Sequence, residues 1–429
     1  MRQYPFLETK AGKIAFGAFL FVMLLLARDT LITSSILGFM KSQFLMLGLI
    51  CGFGLAFLAV NRRNLKAILT DKRMLAFLLF AVILLLPMLL KRDWQMMYFS
   101  VLICLFFAVF LTYFASCKEV ARYYIVILAL LGAYSVLATY VLRALLGENG
   151  LSRMPYFFNQ IDVKFFNFGL AFVSESYVKN RNFGIFREPG VYQYFVLLAL
   201  FLNNYTADWE KVWQRWTLNT VLALTMLTTL ATGGIIELGL LAVVIFFDKK
   251  LYKNKRICLL AAGLIVVLVC ALAVILAKKG TLYWELYAMF VSKFSPEEES
   301  ASDRFHAIFT NLHFFLQHPL VGEKLSAVLH AMENNTSSTL ILYAVFGIAG
   351  GTLNVAAWAA LVWDRERKLW ANLALLVILF MSFNTQNLIA DVFFWLFPCM
   401  TLVERGLPKW NLPKRRCDKW NGNCLEKSS

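Results

Sequence analysis

The chain has 429 residues, 60% of them hydrophobic, and 42 Lys and Arg against 26 Asp and Glu give a formal charge of +16. With a mean hydropathy of +0.65, this composition excludes an ordinary soluble globular domain. The basic excess sits in short loops and the tail rather than on a soluble domain, which excludes a nucleic-acid surface and points to membrane orientation.

Apolar runs of about 18 or more residues mark helices that cross a bilayer core, where every backbone polar group must be satisfied within its own segment. Twelve spans are predicted, at about 13–28, 37–60, 74–90, 95–115, 123–146, 190–204, 216–231, 233–247, 257–277, 337–363, 369–384 and 388–403. Arg28-Asp29, not a small-residue cleavage site, follows the first run, so it reads as a retained span. The sixth and eighth are short and call for extra length from their neighbours or a locally thinner bilayer. Lys and Arg cluster at 61–73, 248–256, 364–368 and in the tail at 414–416. With twelve spans and a cytoplasmic N-terminus, all four clusters fall inside. The short Lys91-Arg92-Asp93 turn goes against that rule. The expected fold class is therefore all-α: a polytopic membrane helix bundle of about twelve transmembrane helices forming one integral-membrane domain over 1–429. Its external loops are 147–189 and 278–336, and 404–429 is a cytoplasmic tail.

The first external loop is rich in aromatics (Tyr156-Phe157-Phe158, Phe165-Phe166, Phe168, Phe172) and is expected to lie on the headgroup layer. The second holds all four histidines, His306, His313, His318 and His330, together with Arg304. Within it Phe305, Ile308, Phe309, Leu312, Phe315 and Leu316 recur at helical spacing. Ser302 and Asp303 suit a helix start and Pro319 a stop. An amphipathic helix is predicted, lying on the membrane surface or capping the bundle. The eight cysteines all lie outside these two loops, so no disulfide framework is expected. Cys417 and Cys424 have no histidine nearby for a zinc site, and His306 and His313 are too far apart along a helix to share an ion, so no metal is expected.

Three groups of residues could carry chemistry. Arg181, Arg187 and Glu188 fall within ten residues of a helix start at Pro189-Gly190, a ready anion site. The alternative is a turn with arginines snorkelling at the interface. Arg304 could grip a diphosphate bidentately, or be an exposed cap residue paired with Asp303 or with the acidic run Glu297-Glu298-Glu299. His330, with Glu333 and Asn334-Asn335 nearby, stands just before the tenth span, as a general base, a sugar contact or a polar loop residue. Charges inside spans are costly and usually functional. Glu237, Asp391, Arg28 and Asp29 all project toward the external face. No internal repeat is evident, which counts against transporter folds built from inverted halves.

These features together resemble the O-antigen polymerase and O-antigen ligase superfamily of bacterial surface-polysaccharide enzymes. The resemblance rests on the twelve-span architecture with one long external loop, on Asp303-Arg-Phe-His through Pro319-Leu-Val-Gly322, and on Gly184-Ile-Phe-Arg-Glu-Pro-Gly-Val-Tyr-Gln193. The ligases' arginine before the tight turn is replaced here by Ala231-Thr232-Gly233-Gly234, which favours a repeat-unit polymerase over a ligase. The resemblance implies a cofactor-free glycosyltransferase of the bacterial inner membrane. It would act on a polyprenyl-diphosphate-linked oligosaccharide, among membrane lipid, with a chain-length regulator and a flippase as pathway partners. Arg304 with Arg181 or Arg187 would hold the donor diphosphate without metal. Glu188 or His330 would take the acceptor proton, and Glu237 and Asn335 would line the substrate site.

Overall fold

In the computed structural model, the described residues are 9–60, 71–159, 162–175, 181–256, 299–332 and 335–406, with isolated positions between 258 and 287. They are mostly helical. In chain order come α1 (Lys10–Leu25), a π-helical turn (Ile32–Leu37), α2 (Phe39–Val60), α3 (Lys72–Lys91), α4 (Met96–Leu111) and α5 (Cys117–Val136). A π-helical stretch (Leu137–Leu142) leads from α5 into α6 (Arg143–Leu151). Then follow β1 (Tyr156–Phe158), β2 (Lys164–Asn167), β3 (Phe172–Ser174), α7 (Pro189–Tyr205), α8 (Val212–Thr228) and α9 (Thr232–Asp248). The chain closes with α10 (Glu299–Gln317), α11 (Leu325–His330), α12 (Ser338–Val362), α13 (Leu369–Phe383) and α14 (Val392–Gly406). Three helical segments, Lys72–Lys91, Cys117–Leu151 and Ser338–Val362, are long and apolar enough to cross a membrane, and Phe39–Leu55, Met96–Leu111 and Leu369–Phe383 are shorter and apolar. The predicted ninth span at 257–277 falls largely outside the described residues.

Burial sorts the helices into inner and outer ones. Every residue of α7 from Val191 to Asn204 is buried, and so are Val392 to Met400 at the start of α14. A helix apolar all round belongs at a centre. Tyr124 of α5 locks the two together: its ring stacks on Phe393 and meets Phe397, and its hydroxyl donates to the Phe195 carbonyl at 3.1 Å. α14 also packs along α4 and α12. The outer helices invert the soluble pattern. On α3, Leu75, Leu78, Leu79, Val82, Leu86, Leu89 and Leu90 are exposed, an apolar stripe at helical spacing that faces outward. Ile236, Leu240, Val243 and Phe247 do the same on α9. Such contiguous apolar surface needs an apolar solvent.

Caps follow ordinary rules. Thr9 accepts from the Gly12 amide at 2.9 Å, and Ser116 and Glu119 form a reciprocal capping box at the start of α5. Glu404 of α14 also accepts from the Cys117 amide at 2.8 Å, so the start of α5 and the end of α14 are tied.

Two expectations need correction. The 147–189 stretch is not loop alone: it contains a three-stranded antiparallel sheet ordered β1-β2-β3. Phe166 pairs with Tyr156 on one side and Val173 on the other. Phe165, Phe166 and Phe172 are buried, whereas Tyr156 and Phe158 are exposed. The aromatic clusters therefore reflect strands packed on both faces: Phe165 and Phe172 join the main core, while Phe166 and Val173 join a second cluster on the other side, so no apolar–polar alternation marks β2 and β3. The fold is thus helical with a small sheet rather than purely α.

The amphipathic helix is present, and α10 is already helical at Glu299, about a turn before the expected Ser302–Asp303 start. Its apolar stripe does not cap the bundle. Phe305, Phe309 and Leu316 are about two-thirds exposed, while Ala307 and Asn311 are fully buried. α10 packs on α12 through this side and through Phe315, whose ring meets Tyr343, and turns Phe305, Phe309 and Leu316 outward.

The end of α10 is interlocked with α12. Gly347 (φ 64°) interrupts α12. The freed groups bond to the 319–323 turn: the Ile348 amide donates to Pro319 O at 2.8 Å, and the Glu323 amide to Ala344 O at 2.6 Å. Lys91 Nζ donates to Glu323 O at 2.7 Å and to Val345 O at 3.0 Å. Asp93 accepts from Tyr98 Oη and from the Ser326 amide, both at 3.3 Å. The charged turn that violated the orientation rule is therefore the receptor for this loop.

Candidate functional site: an arginine pinned at the start of a buried helix

The site is built on the 181–190 segment that feeds α7. Gly184 has φ 56°, and a β-carbon there would come within 2.7 Å of the Tyr192 ring, so the tight turn and close approach require glycine. The Phe172 amide donates to Gly184 O at 2.8 Å, joining β3 to this turn. On the other side the segment forms an antiparallel bridge with the end of α1, Thr30 to Phe186. The Leu31 amide donates to Ile185 O at 2.8 Å and the Arg187 amide to Asp29 O at 3.0 Å.

Arg187 is thereby held by backbone and side chain alike. Its Nε donates to Asp29 Oδ1 at 2.8 Å, and its Nη1 to Glu188 Oε1 at 3.1 Å. The buried Asp29 carboxylate first, then Glu188, holds the guanidinium above its ordinary pKa, against partial desolvation. Glu188 is the residue before α7, with extended φ −142° and no side-chain cap bond, and Pro189 follows as the first helical residue. Its carboxylate is half-exposed beside Arg187.

Buried polar groups surround this pair. Arg28 Nη1 approaches Asn387 O at 3.5 Å, its guanidinium lies 5.6 Å from the Phe39 ring centre, and Asp29, Arg187 and Asp391 are its charged neighbours. Asp391 is fully buried. Its Oδ1 accepts from the Phe393 amide at 2.8 Å, while among the described residues Oδ2 has no hydrogen-bond partner, as is also true of Asp29 Oδ2 and Asn387 Oδ1. One turn into α7, the Gln193 side chain lies over the start of α9: β-carbons on Gly233 or Gly234 would come within 3.2 or 2.6 Å of its carboxamide. Glu237 is buried beside this contact. Gln386 lies against Gly190 in the same way, 2.7 Å from a β-carbon there.

The residues singled out from sequence separate into groups. Arg187 and Glu188 are in contact, and Asp29 and Arg28 join them. Arg181 faces a different partner: its Nε donates to Thr229 O at 3.1 Å, just past the end of α8. Asn335 is buried and pairs reciprocally with Asn311, at 2.8 and 2.9 Å. Its carboxamide thus fastens α10 to the chain before α12. His330 ends α11 and is exposed. Arg304 lies in α10, but its side chain is outside the described residues, as are Glu333 and Asn334. His318 Nε2 stands 3.0 Å from Glu323 Oε2, in the interlocked turn. Among the described residues no group of three or more His, Cys, Asp or Glu gathers to hold a metal ion. Gln193 closes the Gly184–Gln193 motif but was given no role there, and Gln386 was not singled out, because a neutral amide in an apolar run raises no charge signal. Their positions opposite Gly233-Gly234 and Gly190 are visible only in three dimensions.

No family model, curated protein or solved structure matches this chain.

Proposed function

We propose that the chain is a membrane glycosyltransferase of the repeat-unit polymerase type. In this reading it spans a bacterial inner membrane about twelve times with both termini cytoplasmic, and joins polyprenyl-diphosphate-linked oligosaccharides on the outer side. The observation that carries the reading is Arg187, fixed by the buried Asp29 beside Glu188 at the N-terminus of a wholly buried helix. Transfer from a lipid diphosphate builds negative charge on the leaving group. A preorganised guanidinium at a helix N-terminus stabilises that charge without reorganising as the bond breaks. Glu188, in contact with Arg187 and open to solvent, is placed to accept the proton of an incoming sugar hydroxyl. Arg304 and Arg181 would be recruited to the donor from outside this pair, and His330 is the alternative base.

The test is the size distribution of lipid-linked glycan in host cells with and without the gene. Collapse of the ladder to single repeat units on the outer leaflet, reproduced by Arg187→Ala, is the expected result. Full-length polymer retained on its carrier lipid would assign a ligase instead, and single units trapped on the inner leaflet a flippase. A ladder unchanged by both Arg187→Ala and Arg304→Ala would reject the assigned site.

A further inference from the structure

A second polar cluster lies at the other end of α7, about 25 Å along the helix from Arg187 at 1.5 Å per residue. α7 ends at Tyr205, the connection to α8 carries Trp209, Arg215 lies in the first turn of α8, and Lys249 follows α9. Arg367, in the turn before α13, and Lys249 both stand over the Tyr205 ring, 4.4 and 4.9 Å from its centre.

Arg367 is fully engaged. It donates to Val362 O at 2.8 Å and to Asn372 Oδ1 at 3.0 Å, and lies 3.7 Å from both Asp248 and Asp364. The Lys249 ammonium and the Arg215 guanidinium, by contrast, have no hydrogen bond or ion pair among the described residues. Three atoms here are buried without a partner: Tyr205 Oη, Trp209 Nε1 and Arg215 Nε. All three can donate, and two can only donate. Three cations, Arg215, Lys249 and Arg367, meet two carboxylates, Asp248 and Asp364. Partial desolvation holds the Lys249 ammonium below its ordinary pKa; Arg367 and Arg215 add to this, while Asp248 opposes it. Unmet donors on neighbouring segments, beside a surplus of positive charge, suit a compact anion with several acceptor oxygens. Next to the cluster, Val212, Trp213 and Trp216 on α8 are exposed. Exposed tryptophans beside apolar helices mark a membrane–water interface.

We propose that Tyr205, Trp209, Arg215 and Lys249 form a phosphate-binding site for the headgroup of an anionic phospholipid, held against the Arg367 pillar. The tryptophans of α8 set the site at headgroup depth. The phosphate oxygens accept from Arg215, Trp209 and Tyr205, and Lys249 closes over them from its exposed position. The site is separate from the Arg187 region and does not depend on the proposed chemistry.

The full chain would be purified into nanodiscs of phosphatidylcholine, of phosphatidylcholine with phosphatidylglycerol, and of phosphatidylcholine with inorganic phosphate in the buffer. Thermal unfolding and retained lipid by native mass spectrometry are the readouts. Phosphatidylglycerol is expected to raise the unfolding midpoint, and Arg215→Gln to weaken its apparent affinity about tenfold or more, the scale of a lost charged hydrogen bond. Trp209→Phe removes one donor and no charge, so a loss of affinity there separates a built site from diffuse attraction. The exposed Arg153→Gln, remote in sequence from all four residues, should match the parent. Equal protection by inorganic phosphate would keep the site and overturn the lipid as its source. No protection by either anion, or Arg215→Gln and Trp209→Phe responding as the parent does, would overturn the proposal.

Discussion

Lys91 donates its ammonium to the Val345 carbonyl, 3.0 Å away, where Gly347 breaks α12. A broken helix inside an apolar bundle frees carbonyls that lipid cannot satisfy, and such breaks persist only where protein groups meet them. Here Lys91 and the 319–323 turn meet them together. The motif Pro319-Leu-Val-Gly322 thereby acquires a physical role: Gly322 has φ 71° and lies against the backbone of Ala344 and Val345, so the turn can seat in the break.

Gly347→Ala should therefore be among the most damaging small substitutions in the chain. The left-handed conformation costs an alanine roughly 1–2 kcal/mol, and its methyl would meet the Leu320 carbonyl, adding an overpacking cost of about 1–3 kcal/mol. Thermal unfolding in detergent measures the sum. Lys91→Met should destabilise less, because it leaves the backbone conformation intact. A Gly347→Ala protein that unfolds at the parental temperature would mean that the turn and the break are not coupled.

The Asn311–Asn335 pair makes a second prediction. Both carboxamides are buried and each donates to the other. Asn335→Leu strands the Asn311 amide and should cost about 1–3 kcal/mol, whereas replacing both by leucine should recover much of that loss. The single variant should also loosen α10, detectable as faster amide exchange through 305–317 with little change in α7. Uniform exchange in the parent and Asn335→Leu proteins would show that this pair does not anchor the helix.

The outward apolar face of α10 supplies a third. Phe305, Phe309 and Leu316 are exposed together on a helix whose opposite side, Ala307 and Asn311, is buried. In a bilayer this face should meet acyl chains or headgroups, so a spin label at position 309 should be shielded from an aqueous relaxation agent and accessible to oxygen. Phe309→Glu should reverse that pattern around neighbouring labels without unfolding the bundle. Free access of the aqueous agent to position 309 in vesicles would place the face in water.

Apolar periodicity made most helices legible in the sequence, because a helix packed in or beside lipid must be nearly continuous in hydrophobicity. The starts of α7 and α9, near Pro189 and Thr232, were readable from Pro, Gly and the change in polarity. The sheet was not, because Phe occupies both faces of β1 and β2 and hides the strand alternation. Nor was the direction of α10: its apolar stripe was found, but a stripe has the same spacing whether it faces a bundle or a membrane. Of the site, Arg187 and Glu188 stood out because charge is scarce. Their link to Asp29 joins residues 158 positions apart, and only the Thr30–Phe186 bridge brings them together. The pairing of Asn335, expected as a substrate contact, with Asn311 was not readable because the two lie on opposite sides of a turn.

The Arg187–Asp29 pair separates positioning from charge. Asp29 is nearly inaccessible, whereas about a third of Arg187 remains exposed, so the two deletions are not equivalent. Arg187→Ala deprives the buried Asp29 carboxylate of its hydrogen-bonded partner; breaking a fully buried pair costs about 3–5 kcal/mol, and the loss here should be smaller because Arg187 is about a third exposed and Arg28 remains a charged neighbour. Asp29→Asn keeps a hydrogen-bond acceptor and removes the buried charge, so it should cost less. The double variant should be more stable than Arg187→Ala alone, giving a favourable coupling in a double-mutant cycle. Activity should divide differently. If Arg187 stabilises the departing diphosphate, Arg187→Ala should slow transfer about 100- to 1000-fold, the usual range for removing one such donor. Asp29→Asn leaves the guanidinium in place but less firmly held, and should reduce the rate by a smaller factor. Arg187→Lys should restore the charge without the paired Nε and Nη1 contacts, and so recover only part of the rate. Single-turnover transfer assays on the three variants, read beside their unfolding midpoints, test this order. Equal rates for Arg187→Ala and the parent would leave Arg187 a structural partner of Asp29 and move the search for the diphosphate contact to Arg304.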